Sequence, residues 1–215
     1  GWKVEISPEA KEQIKECAKA VRAWTDEGRV VYGVTTGFGG LASVVIPRDK
    51  CRQLQENLLL SHSCGFGEPY PEDVVRAIML LRINTLSRGY SGISLETLQQ
   101  MVDYLNLGIH PVVPTQGSVG ASGDLCPLSH VAISLIGHGN VVYQGKVMPT
   151  SEALVKAGMK PVELQPKEGL ALNNGTTVMN AVAALCIVDA LTMQKNADIA
   201  ASMSAEALHA VPYAF

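Results

Sequence analysis

Up to Leu107 the apolar positions recur mostly at helical spacing, and short runs of glycine and proline break the pattern into segments. Ser7-Pro8-Glu9 supplies an N-cap, a first-turn proline and an acidic first turn, so a helix is predicted to about Asp26, where Glu27-Gly28 stops it. Val30-Val31-Tyr32 reads as a short extended piece and 33–40 as a glycine-rich loop. Further helices are predicted over 48–61, 71–87 and 94–107. Beyond them, 109–114 reads as extended, a helix runs from near Pro127 to Gly137, and 141–147 forms a small hairpin.

The segment from Thr176 to about Met203 carries no Pro or Gly. Its apolar residues, among them Val178, Met179, Val182, Leu185, Ile187, Val188 and Leu191, are too many for one stripe. Such a helix is buried on more than one side, either as a central core helix or as a helix of a bundle between subunits. The predicted fold class is mainly α: a helical domain with short extended segments and a small hairpin, ending in a long bundle-type helix. A chain of 215 residues with 47% hydrophobic content suits one domain, and no interdomain linker divides 1–215.

Charge and cysteines narrow the class. A net charge of −3, with no cluster of Lys and Arg, argues against nucleic acid as a partner. Cys17, Cys51, Cys64, Cys126 and Cys186 are odd in number, widely spaced and without a Cys-x-x-Cys pair, which fits a reduced, cytoplasmic protein without a zinc site. No stretch is expected to reach membrane-spanning length, and no His pair has helical metal-ligand spacing. The loop Thr36-Gly37-Phe38-Gly39-Gly40 lacks the spacing of either phosphate-binding glycine motif.

The candidate chemistry lies in Gly117-Ser118-Val119-Gly120-Ala121-Ser122-Gly123-Asp124-Leu125. Natural side chains include no good electrophile, but a tightly folded Ala-Ser-Gly can make one. The Gly123 nitrogen attacks the Ala121 carbonyl carbon, water leaves, and an imidazolone ring closes; Ser122 then loses its hydroxyl as a second water and leaves an exocyclic methylidene. Gly123 has no Cβ to hinder its nitrogen, Ala121 is small, and Ser122 carries the leaving group. Taken alone, the tripeptide reads as a small-residue turn. Asp124 either assists proton transfer during ring closure or caps the helix that follows.

Three other segments accompany it in order: Tyr32-Gly33-Val34-Thr35-Thr36-Gly37-Phe38-Gly39, Ser61-His62, and Glu168-Gly169-Leu170-Ala171-Leu172-Asn173-Asn174-Gly175-Thr176. With connecting text such as Arg82-Ile83-Asn84-Thr85-Leu86-Ser87-Arg88-Gly89, the chain from about Val30 to Glu206 resembles the aromatic amino-acid ammonia-lyase and aminomutase family. The resemblance implies a 4-methylidene-imidazole-5-one formed autocatalytically from Ala121, Ser122 and Gly123, with no external cofactor. Ser61-His62 resembles the histidine-deaminating members, which implies conversion of L-histidine to trans-urocanate and ammonia. Phenylalanine or tyrosine lyases and aminomutases are the alternative, as is a silent fragment serving assembly or ligand binding.

By the same resemblance, Tyr32 is the base that takes a β-proton, His62 and Gly39 contact the substrate, and Asn174 supports its acid end. The structural alternatives are a strand-end tyrosine packed at a core edge, a satisfied core histidine and an asparagine N-cap for the long helix, from Asn173 or Asn174. Asn173 stands where the family more usually has an aliphatic residue. Family subunits are more than twice as long. Their C-terminal half, with a carboxylate-gripping arginine and further tyrosine and glutamate positions, is absent from 1–215. The implied partners are an amino-acid substrate and either a homo-oligomer, tetrameric by resemblance, or a separate C-terminal-half chain.

Overall fold

The structure is a computed structural model that describes residues 2–211 and 213. Helix α1 (Pro8–Asp26) starts where the sequence puts it: Ser7 Oγ accepts from the Ala10 N–H at 3.2 Å and Pro8 occupies the first turn. Its buried face is Ile14, Ala18, Val21 and Thr25, at helical spacing. Helices α2 (Cys51–His62), α3 (Glu72–Leu86) and α4 (Leu95–Leu107) follow, and α4 ends on Gly108 in the left-handed conformation (φ 72°). Helix α5 (Leu125–Leu135) is apolar on nearly all sides and runs through the centre of the fold. The core joins Ile14, Leu59, Ile78, Leu98, Tyr104 and Leu135, each at most 1% exposed.

Two small antiparallel sheets brace the helices. Strand β1 (Phe66–Pro69) pairs with β3 (Pro114–Gln116), while β2 (His110–Pro111), β4 (Asn140–Tyr143) and β5 (Lys146–Pro149) lie in the order β2-β4-β5. The predicted hairpin is β4–β5. Its two-residue turn has positive φ at Gln144 (51°) and Gly145 (74°), the geometry that matches strand twist.

Two short helices were not anticipated, α6 (Thr150–Lys156) and α7 (Glu168–Asn173). The second starts from Lys167 at φ 80° with no side-chain cap, so it carries no start signal. The extended piece at 30–32 is corrected to a turn. The Thr35 hydroxyl accepts from the Val31 N–H (2.9 Å) and donates to the Arg29 carbonyl (2.6 Å), while Thr36 Oγ1 accepts from the Gly33 N–H (3.2 Å). These hydroxyls satisfy backbone groups that a strand partner would otherwise take.

Helix α8 (Thr177–Ala207) is 31 residues long, and only Thr177, Val178 and Ala181 are buried. This overturns the central-core alternative: Ile187, Val188, Leu191, Met193 and Ile199 are all more than half exposed. It also corrects the expectation about membrane-spanning length. The helical run Glu168–Ala207 reaches a mean hydropathy of 1.6 in an 18-residue window, enough to cross a membrane by length and composition. Asp189, Lys195 and Asp198 interrupt that run.

Glu168 fastens α7 to the helices beneath it. Fully buried, its carboxylate accepts from the Ser94 N–H at the start of α4 and the Gln165 N–H, both at 2.7 Å. In Glu168→Gln, an amide NH2 would face one of those N–H donors and leave it unpaired. A loss of about 1–3 kcal/mol is expected, read as a lower urea midpoint at unchanged slope.

Candidate functional site

The Ala121-Ser122-Gly123 loop sits directly before α5, between β3 and the helix, with Ala121 and Ser122 exposed and Gly123 buried. Gly123 has φ 124°, and a Cβ there would lie 2.6–2.9 Å from the backbone O, N and C of Gly175. Both the conformation and the close approach require glycine. The contact brings the loop against the α7–α8 junction and is reinforced by the Asp124 N–H, which donates to the Gly175 carbonyl at 2.6 Å.

Two buried charged groups hold that junction. Arg82, on α3 and 3% exposed, donates to the Ala171 carbonyl, to the Asn174 carbonyl at 2.7 Å and to Thr177 Oγ1 at 3.4 Å. The first two carbonyls belong to the C-terminal end of α7, where unpaired acceptors and the negative end of the dipole favour a cation. Burial pushes the Arg82 guanidinium down to about 10. Its Nε has no hydrogen-bond partner among the described residues.

Asp124, 7% exposed, accepts from the Met179 N–H in the first turn of α8 (3.0 Å) and from the Ser118 hydroxyl (3.3 Å). It makes no side-chain cap to α5. The expected cap of the following helix is therefore corrected to a cap of α8, supplied from 55 residues away.

His62 ends α2 and lines, with Ser61 and Cys64, a cavity of about 250 Å³ whose opposite wall is Gly117, Val119–Gly123, Leu125 and Cys126. The structure thus brings the histidine and the Ala-Ser-Gly loop to one cavity, rather than placing His62 in the core. Its Nδ1 lies 2.9 Å from the Leu58 carbonyl and 3.0 Å from Ser61 Oγ. A carbonyl only accepts, so the neutral ring carries its proton on Nδ1 and leaves Nε2 as an acceptor.

Tyr32, Gly39 and Asn174 lie outside that lining. Tyr32 is 53% exposed, in edge-to-face contact with Phe38, and its hydroxyl accepts from the Gly39 N–H at 3.3 Å. It is neither at a strand end nor packed at a core edge. Asn174 is the exposed C-cap of α7 and lines a neighbouring cavity of about 470 Å³ with Arg82, Arg88 and Lys167. Neither asparagine caps α8, whose N-cap is Thr176; Asn173 is buried and donates to Ser129 Oγ at 3.3 Å.

The sequence profile described as aromatic amino acid lyase matches residues 1–215. The chain belongs to the aromatic amino acid lyase family. It is 52% identical over 214 residues to histidine ammonia-lyase of Alkaliphilus oremlandii, a match that covers 100% of this chain and 42% of that protein. Histidine ammonia-lyase of Trypanosoma cruzi superposes with a TM-score of 0.90 at 38% identity, over 97% of this chain and 40% of that one. Tyrosine aminomutase of Streptomyces globisporus superposes with a TM-score of 0.83 at 39% identity, over 87% and 35%. The chain therefore spans about two fifths of the length of its relatives and corresponds to an N-terminal portion. The mainly helical fold with a long final helix is that of the family.

Arg82 was not anticipated as a functional residue. Its signal is a cation inside the α3 stripe of Ile78, Met79, Ile83 and Leu86, which folds only where acceptors await it.

Two outcomes are expected. Gly123→Ala adds a clash with backbone to an unfavourable φ, whereas Gly120→Ala (φ 77°, open space) adds the φ alone. Gly123→Ala is expected to lose about 1–3 kcal/mol more in urea denaturation. His130 Nε2 accepts from the Gly65 N–H at 3.0 Å, and burial holds its imidazole below the usual histidine range. The unfolded chain then binds the proton first. Stability is fully present above the unfolded pKa of about 6.5 and is lost as pH falls from there through the lower folded value. Denaturation at about pH 7.5 and 5.5 is expected to show this loss, and a smaller one in His130→Gln.

Proposed function

We propose that the protein is the part of a histidine ammonia-lyase that carries the self-made electrophile, and that it deaminates L-histidine to trans-urocanate and ammonia. The observation that carries the reading is the shared cavity: a histidine whose neutral ring keeps Nε2 as an acceptor lines the same cavity as Ala121, Ser122 and Gly123. The loop fits the group. Gly123 is Cβ-less where a Cβ has no room, Ser122 is exposed, and the positive end of α5 begins two residues after Gly123. A 4-methylidene-imidazole-5-one there would supply an electrophilic carbon that accepts an amine or π-system and makes the amino group a better leaving group.

The chain's own residues would do the remainder. His62 Nε2 would accept a hydrogen bond from the substrate imidazole, an interaction that a hydrocarbon ring cannot repay. This favours histidine over the phenylalanine and tyrosine alternatives. The Tyr32 side chain, as the phenolate, would take the β-proton and become the phenol, and the Gly39 N–H that already donates to its oxygen would stabilise the phenolate beforehand. Asn174, beside Arg82, Arg88 and Lys167, would support the substrate's carboxylate.

The exposed apolar length of α8 supports assembly with further copies or with a chain carrying the C-terminal half, forming a bundle around that helix. Residues 1–215 then act as one domain.

The test is the intact mass of the purified chain. A deficit of two waters, mapped to the peptide holding Ala121 to Gly123 and absent in Ser122→Ala, is expected; an unmodified mass overturns ring formation in this chain. Release of a conjugated acid from L-histidine, followed by ultraviolet absorbance, is expected to fall about ten- to a hundredfold in kcat/KM in His62→Leu. An unchanged value removes the basis for histidine selectivity.

A further inference from the structure

Two cysteines line the same cavity as the Ala-Ser-Gly loop, and the proposed reaction uses neither. Cys64 is exposed in the turn after α2, two residues beyond His62; Cys126 is buried in the first turn of α5, three residues beyond Gly123. Gly117 locates them relative to each other. An ideal Cβ on Gly117 would lie 2.6 Å from Cys126 Sγ and 3.2 Å from Gly65 Cα, so those two atoms are no farther apart than the sum of the two distances. Gly65 adjoins Cys64, so the turn that carries Cys64 lies against the Cys126 side chain. Burial pushes the Cys126 thiol up, and the neighbouring Cys64 thiol adds to the shift. The other cysteines are elsewhere: Cys51 donates to the Ile46 and Pro47 carbonyls, Cys17 lies on α1 and Cys186 on α8.

We propose that Cys64 and Cys126 are a redox-active dithiol that closes to an intramolecular disulfide across this cavity when it meets a low-molecular-weight disulfide such as oxidised glutathione. The exposed Cys64 thiolate attacks one sulfur of the small disulfide. A Cys64 mixed disulfide forms and one small thiolate leaves. Cys126, after giving its proton to solvent, attacks Cys64 Sγ; the protein disulfide forms and the second small thiolate leaves. The protein dithiol loses two electrons and two protons, and the small disulfide gains them.

The bond joins the turn that carries His62 to the helix that the Ala-Ser-Gly loop feeds. The loop crosses Cys126 at Gly117, so its motion is restrained and the cavity mouth narrows. Formation of the ring is not required for any of this, so failure of the proposed chemistry leaves the dithiol intact and the reverse also holds.

The experiment incubates the full chain with oxidised glutathione and maps its cysteines by non-reducing peptide mass spectrometry, with amide exchange followed in parallel. Expected are a Cys64–Cys126 cross-linked peptide reversed by dithiothreitol and exchange of the 118–122 amides slowed about tenfold or more. Cys64→Ser and Cys126→Ala should each abolish both effects while keeping the unfolding transition of the parent. A glutathione adduct that persists on Cys64, or thiols that stay free, overturns the dithiol. A cross-link that leaves loop exchange unchanged overturns the closure of the cavity.

Discussion

The placement of the Ala-Ser-Gly loop depends on how the break between α7 and α8 is held. Arg82 takes the carbonyls that α7 leaves unpaired, and Asp124 takes an N–H that α8 leaves unpaired. Each charge meets the helix end of opposite sign, so two dipoles are compensated at one three-residue break. Between the clamps, Gly175 is pressed from both sides: a Cβ on it would strike the Arg82 guanidinium, and its own backbone fills the space where Gly123 would carry a Cβ. The Ala-Ser-Gly loop is therefore shaped by a junction more than fifty residues away. Loss of either clamp leaves a buried charge without its partners, which is more damaging than the loss of one hydrogen bond.

That arrangement suits the chemistry proposed for the loop. Ring closure requires a backbone held in a conformation it would not choose, and a strained turn persists only where its surroundings over-determine it. Here the surroundings are backbone and buried charge, with little reliance on adaptable side chains. His62 is fixed in similar fashion by the Leu58 carbonyl, which leaves the other ring nitrogen as an acceptor. The proposed selectivity and electrophile formation would thus rest on two elements, the end of α2 and the start of α5, that pack together in the core.

Much of this was legible in sequence where the signal was local. Ser7-Pro8 started α1 where expected, and the pattern over 141–147 marked the hairpin. Ala121-Ser122-Gly123 and His62 could be singled out by motif, and they do meet. What could not be read was non-local. Phe66-Gly67-Glu68-Pro69 looks like a loop until β3 pairs with it. Asp124 looks like a cap for its own helix until α8 arrives. Tyr32 looks like the end of a strand until Thr35 and Thr36 turn the chain back. Its distance from the cavity lining, like that of Asn174, follows from tertiary packing that no window of residues contains.

Helix α8 extends about 46 Å at the usual helical rise, and its buried residues lie within the first five positions. Beyond the half-buried Val182 and Leu185 almost every described residue of the helix is exposed, so its distal part gains little from packing within 2–211 and rests mainly on intrinsic propensity. Fraying then proceeds from the distal end inward, and the protein divides into a cooperative body and a tail that melts by degrees. Far-ultraviolet dichroism and core fluorescence would follow different curves, and a single melting temperature would describe neither until a partner joined them into one cooperative unit.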